Sequence, residues 1–273
     1  MTMSEAPIWG RYVELRPDKL AAIRSHAPVA YVPWGGMEWH GPHLPLGIDG
    51  IVADAVALRA VRRTGGVLLP TVWLAANVLP HPDSMSLSSG LLSQLLDTML
   101  AQLAAAGWRV VVLTSGHYGH AHELTMIAAA ERAIQQHGLL ALAAPCFALV
   151  DEAMQDRAAL WESSMALALR PELVHLQSLG LAPLRPESSG VIGRDPRDTA
   201  SASLGNSALN LAGERLAAAV SELLIANNTA PLQALYTERR ARCHSFLERF
   251  GTDLDQATQA WWADLIHDTS AES

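Results

Sequence analysis

Residues 38 to 49 read Glu-Trp-His-Gly-Pro-His-Leu-Pro-Leu-Gly-Ile-Asp, two carboxylates and two imidazoles within twelve positions. Glu38 and His40 are two apart, so on extended backbone their side chains leave from one face. Asp49 follows His40 by nine residues, enough chain to double back along a path stiffened by Pro42 and Pro45. Mixed carboxylate and imidazole donors suit zinc, manganese or iron(II) rather than a soft metal. An Asp bridging two ions, with a Glu on one side and a His on the other, makes half of a two-metal centre. Such a centre generates a hydroxide nucleophile near neutral pH. Read blandly, the stretch is a solvated Gly/Pro-rich loop. The balance tips with a second run, Thr114-Ser115-Gly116-His117-Tyr118-Gly119-His120, which also follows an apolar strand-like segment.

Those two loops need elements that bring them together. Val29 to Val32 reads as a buried strand opening into Pro33-Trp34-Gly35-Gly36, and Val67 to Val72 as another. Trp108 to Leu113 is apolar on both faces, as a parallel strand covered by helices must be. Leu139 to Leu149 gives a fourth strand. Ile51 to Arg63, Ala121 to Gln136, Leu160 to Leu169 and Gly205 to Ala226 have helical spacing. So does Gly90 to Ala106, capped by Ser88 or Ser89 and ended by Gly107. Alternating strands and helices imply a three-layer α/β/α sandwich with a mostly parallel central sheet. Ligands in such sheets bind at the carboxyl ends of strands, where both loops lie. Residues 1–231 form this body, and 232–273 form a helical extension carrying Arg239, Arg240, Arg242, Phe246, Trp261 and Trp262. It packs on the body or on a neighbouring subunit.

Composition narrows the function. Half of the 273 residues are apolar, ample for a core, and the formal charge of −8 opposes a general nucleic-acid or anionic-membrane surface. The single Arg-rich turn fits a solvated helix face. No apolar run reaches the roughly eighteen residues of a membrane span. The N-terminus lacks a basic region followed by an apolar one, so a cytoplasmic location is expected. Cys146 and Cys243 then fit free thiols.

Four stretches resemble the creatininase (creatinine amidohydrolase) family. Pro33 to Pro45 with Asp49 resembles its P-x-G-S-x-E-x-H-G-x-H-L-P…D signature, and Ser115 to His120 its N-G-H-x-x-N loop. Glu162 to Leu169 resembles E-T-S-x-x-L-A-L, and Gly190 to Pro196 with Thr199-Ala200 the late G-x-x-G-D-P…T-A turn. His81 to Leu87, with Ser84, is a weaker echo of F-P-G-T-x-S-L. The resemblance spans about residues 29 to 226. It implies two divalent ions per subunit (Zn, Mn or Fe), a small-molecule substrate and a homo-oligomer, often a hexamer. By position, Glu38 and His117 would hold one ion and His40 the other, with Asp49 bridging.

Two departures stand out. The position of a further Glu ligand is Gly119, which makes Glu162 the natural substitute, as ligand or as proton carrier. Arg157 replaces a His five residues before that Glu. Arginine does not deprotonate in proteins, so it would bind an oxyanion or a substrate carboxylate rather than carry a proton. Creatininase activity proper is therefore not expected, and the relay passes to Glu162, His43 or His120. His43 otherwise orients a metal-bound group. Tyr118, His120, Trp161 and Ser84 are candidate substrate contacts, and Trp34 a candidate pocket wall. Of His120 and His122, at least one is expected on a helix surface. Glu162, among Leu160, Trp161 and a following apolar helix, calls for a cation or donor if buried.

The leading expectation is a dinuclear metal-dependent hydrolase of a cyclic amide or formamide C–N bond, acting through metal-bound hydroxide. A cyclic ketone or lactone in carbohydrate catabolism is the alternative electrophile. A non-catalytic metal-binding homologue is the alternative of another class.

Overall fold

The computed structural model describes residues 8–268. Five parallel strands form the central sheet in the order β1-β3-β2-β6-β7. They are β1 (Trp9–Arg11), β2 (Val29–Trp34), β3 (Gly66–Leu68), β6 (Val110–Ser115) and β7 (Leu140–Pro145). A separate two-stranded pair joins β4 (Ala75–Ala76) to β5 (Ser86–Leu87). Every residue of β2, β6 and β7 is buried, as largely apolar strands under two helical layers require. One layer contains α2 (Ile48–Thr64), α5 (Leu160–Leu169) and α7 (Ala202–Ala226), and the other α3 (Ser89–Ala105) and α4 (His120–His137). Two shorter helices, α1 (Pro17–His26) and α6 (Pro186–Ser189), complete the body. Among the described residues, no helix is long and apolar enough to cross a membrane.

Element boundaries depart from expectation where the backbone chemistry intervenes. The strand expected over 67–72 ends at Leu68, just ahead of Pro70, which has no N–H to give a ladder. The strand expected to reach Leu149 ends at Pro145, opposite the last residue of β6, and the chain then turns, with Ala148 N–H donating to Pro145 O. The strand expected over 108–113 is shifted to 110–115, since Arg109 and Val110 N–H both bond Pro28 O. The Ser88 hydroxyl caps α3 by accepting from Leu91 N, and Gly138 ends α4 in the left-handed conformation. Cys146 and Cys243 are buried free thiols.

One boundary matters for chemistry. The helix expected to start at Ile51 starts at Ile48, so Asp49 lies in the first turn of α2 and not in the preceding loop. β2 and β6 are neighbours, with Trp34 opposite Ser115, so their following loops leave side by side. The first turn of α2 wedges between them. A Cβ on Gly35 would lie 2.2 Å from Gly50 N, and one on Gly116 would lie 2.0 Å from Asp49 O. Only glycine admits that approach at either strand end.

Beyond residue 227 the chain forms α8 (Ala230–Arg242), α9 (His244–Phe250) and α10 (Leu254–Asp268), which pack on the same chain's body. The Tyr236 hydroxyl donates to Ala141 O and accepts from Ala143 N, covering the outer edge of β7. Arg239, expected on a solvated face, is 2% exposed. Its guanidinium grips both oxygens of buried Glu123 on α4 and reaches Glu152. Arg239→Ala would strand the Glu123 charge and is expected to cost about 3–5 kcal/mol. Replacing both partners together, Glu123→Leu with Arg239→Met, should recover most of that loss. Urea denaturation of the single and double variants measures both.

Candidate metal centre

Six groups singled out in the sequence converge below the β2 and β6 loops, all nearly inaccessible to solvent: Glu38, His40, His43, Asp49, His117 and Glu162. The donor atoms of Glu38, His40 and Asp49 all lie within 4.8 Å of one another. Each imidazole is fixed by its far nitrogen. His40 Nδ1 lies 3.0 Å from Glu38 O, and His117 Nε2 lies 2.9 Å from Ala76 O. A carbonyl accepts only, so both of those nitrogens carry hydrogen. That leaves His40 Nε2 and His117 Nδ1 to face the carboxylates.

The carboxylates divide between the two rings. Asp49 Oδ1 stands 3.1 Å from His40 Nε2, and Asp49 Oδ2 stands 3.3 Å from His117 Nδ1. Glu38 Oε2 lies 3.0 Å from His117 Nδ1, and Glu162 Oε2 lies 3.5 Å from His40 Nε2. Glu38 Oε2 and Asp49 Oδ1 make no aligned hydrogen bond although both are buried. Orphaned carboxylate oxygens opposite imidazole nitrogens of fixed tautomer match what a divalent cation takes as ligands.

Arg157 has a different task from a fork open to substrate. Its guanidinium donates to Glu38 Oε1 at 2.8 Å, Trp39 O at 2.6 Å and Gly190 O at 2.8 Å. Leu79 N–H also donates to Glu38 Oε1, so only Oε2 of this carboxylate is uncommitted. Burial opposes the ionisation of Glu38, but Arg157 and the two imidazoles overcome it and hold the carboxyl well below its usual range. Burial likewise opposes charging the imidazoles, yet Asp49 and Glu162 raise His40 to about 9, and Glu38 and Asp49 raise His117 to about 10. Glu162 is pushed up to about 8 by burial, against the pull of His40.

Glu162 is held by strained backbone. Its Oε2 accepts from Ala158 N–H at 2.6 Å, and Ala158 has φ of +50°, a conformation few non-glycine residues adopt. His43 fixes that residue from behind, with Nε2 3.0 Å from Ala158 O and 3.3 Å from Ser163 Oγ. Burial lowers His43 to about 4, so it is neutral at physiological pH and stands one layer away from the cavity. Asp156, unnoticed in the sequence, accepts from Trp161 N–H and Glu162 N–H and so anchors the start of α5.

The carboxylates and imidazoles open into a cavity of about 190 Å³ that Tyr118, His120 and Arg157 also line. Other predicted contacts lie elsewhere. Ser84 Oγ accepts from Trp39 N–H and borders a separate groove. Trp161 packs against the core, and Trp34 is fully buried with its indole N–H on Leu74 O. His122 is not on a helix surface: it is 0% exposed, with Nδ1 accepting from Ala76 N–H. His120 is half-buried against Phe246 and Trp261. Asn77, also missed, caps α4 by accepting from Ala121 N–H and keeps a buried amide nitrogen without a partner. Its φ of +67° is a state Asn tolerates.

Residues 14–227 match the family described as creatinine amidohydrolase. The chain belongs to the creatininase family. It is 32% identical over 124 residues to the mycofactocin precursor peptide peptidase of Mycobacterium tuberculosis, across 41% of this chain and 49% of that protein. It is 28% identical over 97 residues to the creatinine amidohydrolase of Pseudomonas putida, across 33% of this chain and 37% of the other. The chain thus spans about half or less of the length of the curated relatives it matches. A creatininase crystal structure superimposes with a TM-score of 0.68 at 21% identity, covering 80% of this chain and 98% of that one. Similar solved structures include a mutant creatininase of Zn-Zn type and a creatininase described with Mn, with TM-scores of 0.66 and 0.65 at 21% identity.

The departure at Gly119 has a steric counterpart. A Cβ there would lie 2.7 Å from His117 Nε2 and 2.9 Å from Asn77 Cβ. Gly119→Ala should therefore displace His117 and weaken zinc binding by about tenfold, the scale of losing an orienting contact to a ligand. The raised imidazoles give a second expectation. Values of about 9 and 10 lie above pH 7, so both rings are protonated until a cation displaces the protons. Calorimetric titration of metal-free protein with zinc, in buffers of different ionisation enthalpy, should show up to about two protons released.

Proposed function

We propose that this protein is a dinuclear metal-dependent amidohydrolase that breaks a C–N bond in a small amide. One observation carries the reading: the two oxygens of Asp49 face two different imidazoles, His40 at 3.1 Å and His117 at 3.3 Å. Glu38, Asp49 and His117 would hold one divalent cation, and His40 and Asp49, with Glu162 beside them, the other. When bound, the pair polarises a carbonyl and acidifies water. Relatives named as a creatinine amidohydrolase and as a peptide peptidase share amide C–N cleavage, which favours a cyclic amide or formamide over a ketone or lactone.

The chain's own residues supply the rest. Arg157 and Leu79 N–H clamp one oxygen of Glu38, fixing its carboxylate in a single pose. Glu162, which lines the cavity next to His40 and Asp49, is placed to exchange a proton with a bound substrate. It takes the proton from the attacking water and returns it to the departing nitrogen. His43 and Asp156 keep its backbone in register. A purely structural metal site has little use for a cavity opening onto the ligands, and this one opens onto Glu38, His40, Asp49 and His117.

Elemental mass spectrometry of protein purified without added metal or chelator should find about two divalent ions per subunit, depleted in Asp49→Ala. A wild type that stays metal-free after incubation with zinc or manganese refutes the reading. Glu162→Gln should lower kcat on the best amide substrate by about 10²–10⁴, as loss of a general acid–base does.

A further inference from the structure

The stretch beyond residue 227 lies outside the family match, yet it builds one side of the cavity. Arg239, Arg242, Cys243, Trp261 and Trp262 line it opposite the carboxylates and imidazoles. We propose that α8–α10 form the specificity wall of this site, shaped to receive a planar apolar group next to the scissile bond. This rests on the amidohydrolase reading above.

The α10 part of the wall is aromatic where it meets the cavity. Trp261 stands edge-on to His120, with centroids 5.7 Å apart at 76°, and packs against Trp262 at 4.4 Å. Phe246 backs His120 at 5.0 Å. Trp262 is 3% exposed and lies over the Arg157 guanidinium at 5.7 Å, tying the wall to the group that clamps Glu38. The wall is also anchored. Buried Arg239 joins it to Glu123, and Asp255 accepts from Ser89 N–H at the start of α3.

Charge decides what the wall receives. Both of its cavity-lining cations are engaged, Arg239 by Glu123 and Glu152, and Arg242 by Glu152 at 2.5 Å. A substrate carboxylate would compete with those acids, whereas a flat apolar group gains stacking or edge contacts with Trp261 and His120. The cavity of about 190 Å³ has room for one ring, since a void of about 150 Å³ takes up benzene. The site thus has a metal-binding end and an aromatic end.

Two hydroxamates sharing a chelating head test this on the full-length, zinc-loaded chain. Benzohydroxamate carries a phenyl ring where acetohydroxamate carries a methyl group. Calorimetry should show benzohydroxamate binding about tenfold more tightly, the scale of one aromatic contact plus ring burial. Trp261→Ala should reduce that ratio below about threefold, and Trp261→Phe, which keeps a ring, should retain most of it. Equal affinities in the wild type, or an unaltered ratio in Trp261→Ala, overturn the proposal. Protein that holds zinc and binds neither acid overturns it alone. Protein that holds no zinc overturns it together with the amidohydrolase reading.

Discussion

The close approach of α2 to the ends of β2 and β6 is the constraint on which the site depends. Gly35 and Gly116 remove the side chains that would keep the helix away, and its first turn enters the gap. Asp49 therefore arrives from a helix while Glu38, His40 and His117 arrive from strand-end loops. A carboxylate fixed by helical backbone is less mobile than one on a loop. Its two oxygens can thus face two imidazoles at once. Gly36 N–H, donating to Asp49 Oδ2 at 3.2 Å, adds a further restraint.

Gathering three acids and two imidazoles in a buried volume is unfavourable unless each charge has a partner. Arg157 neutralises Glu38 from the side away from the rings, and the imidazoles answer Asp49. Glu162 has the weakest compensation and rises furthest above the carboxylate range among these acids. In the proposed reaction this is the side chain that carries the proton. Structure and proposed chemistry meet in that one side chain, which strained Ala158 and His43 hold in place.

The C-terminal helices are bound to the body through polar groups as well as apolar burial. Tyr236 completes the edge of β7, and Arg239 enters a buried cluster with Glu123 and Glu152. Bridges of this kind depend on geometry, because a misplaced partner leaves a buried charge. They fix the extension in one orientation, with Trp261 and Trp262 against the cavity.

The sequence by itself determined the layer architecture, the long helices and the residue types gathered at the site, though not β1 or α1. Those follow from hydrophobic period, caps and donor chemistry, all of which are local. The apolar runs at β3 and β7 outlast their ladders, which end before Pro70 in one case and where β6 runs out and the chain turns in the other. Only tertiary structure decided that Asp49 is helical, that Arg157 is spent on Glu38, and that Trp161 and Ser84 stand away from the cavity. It also decided that an Arg-rich turn, locally indistinguishable from a solvated face, buries Arg239 against Glu123. These outcomes depend on pairings across about 40 to 120 positions of chain, and local spacing carries no signal of which distant partner a charge will find.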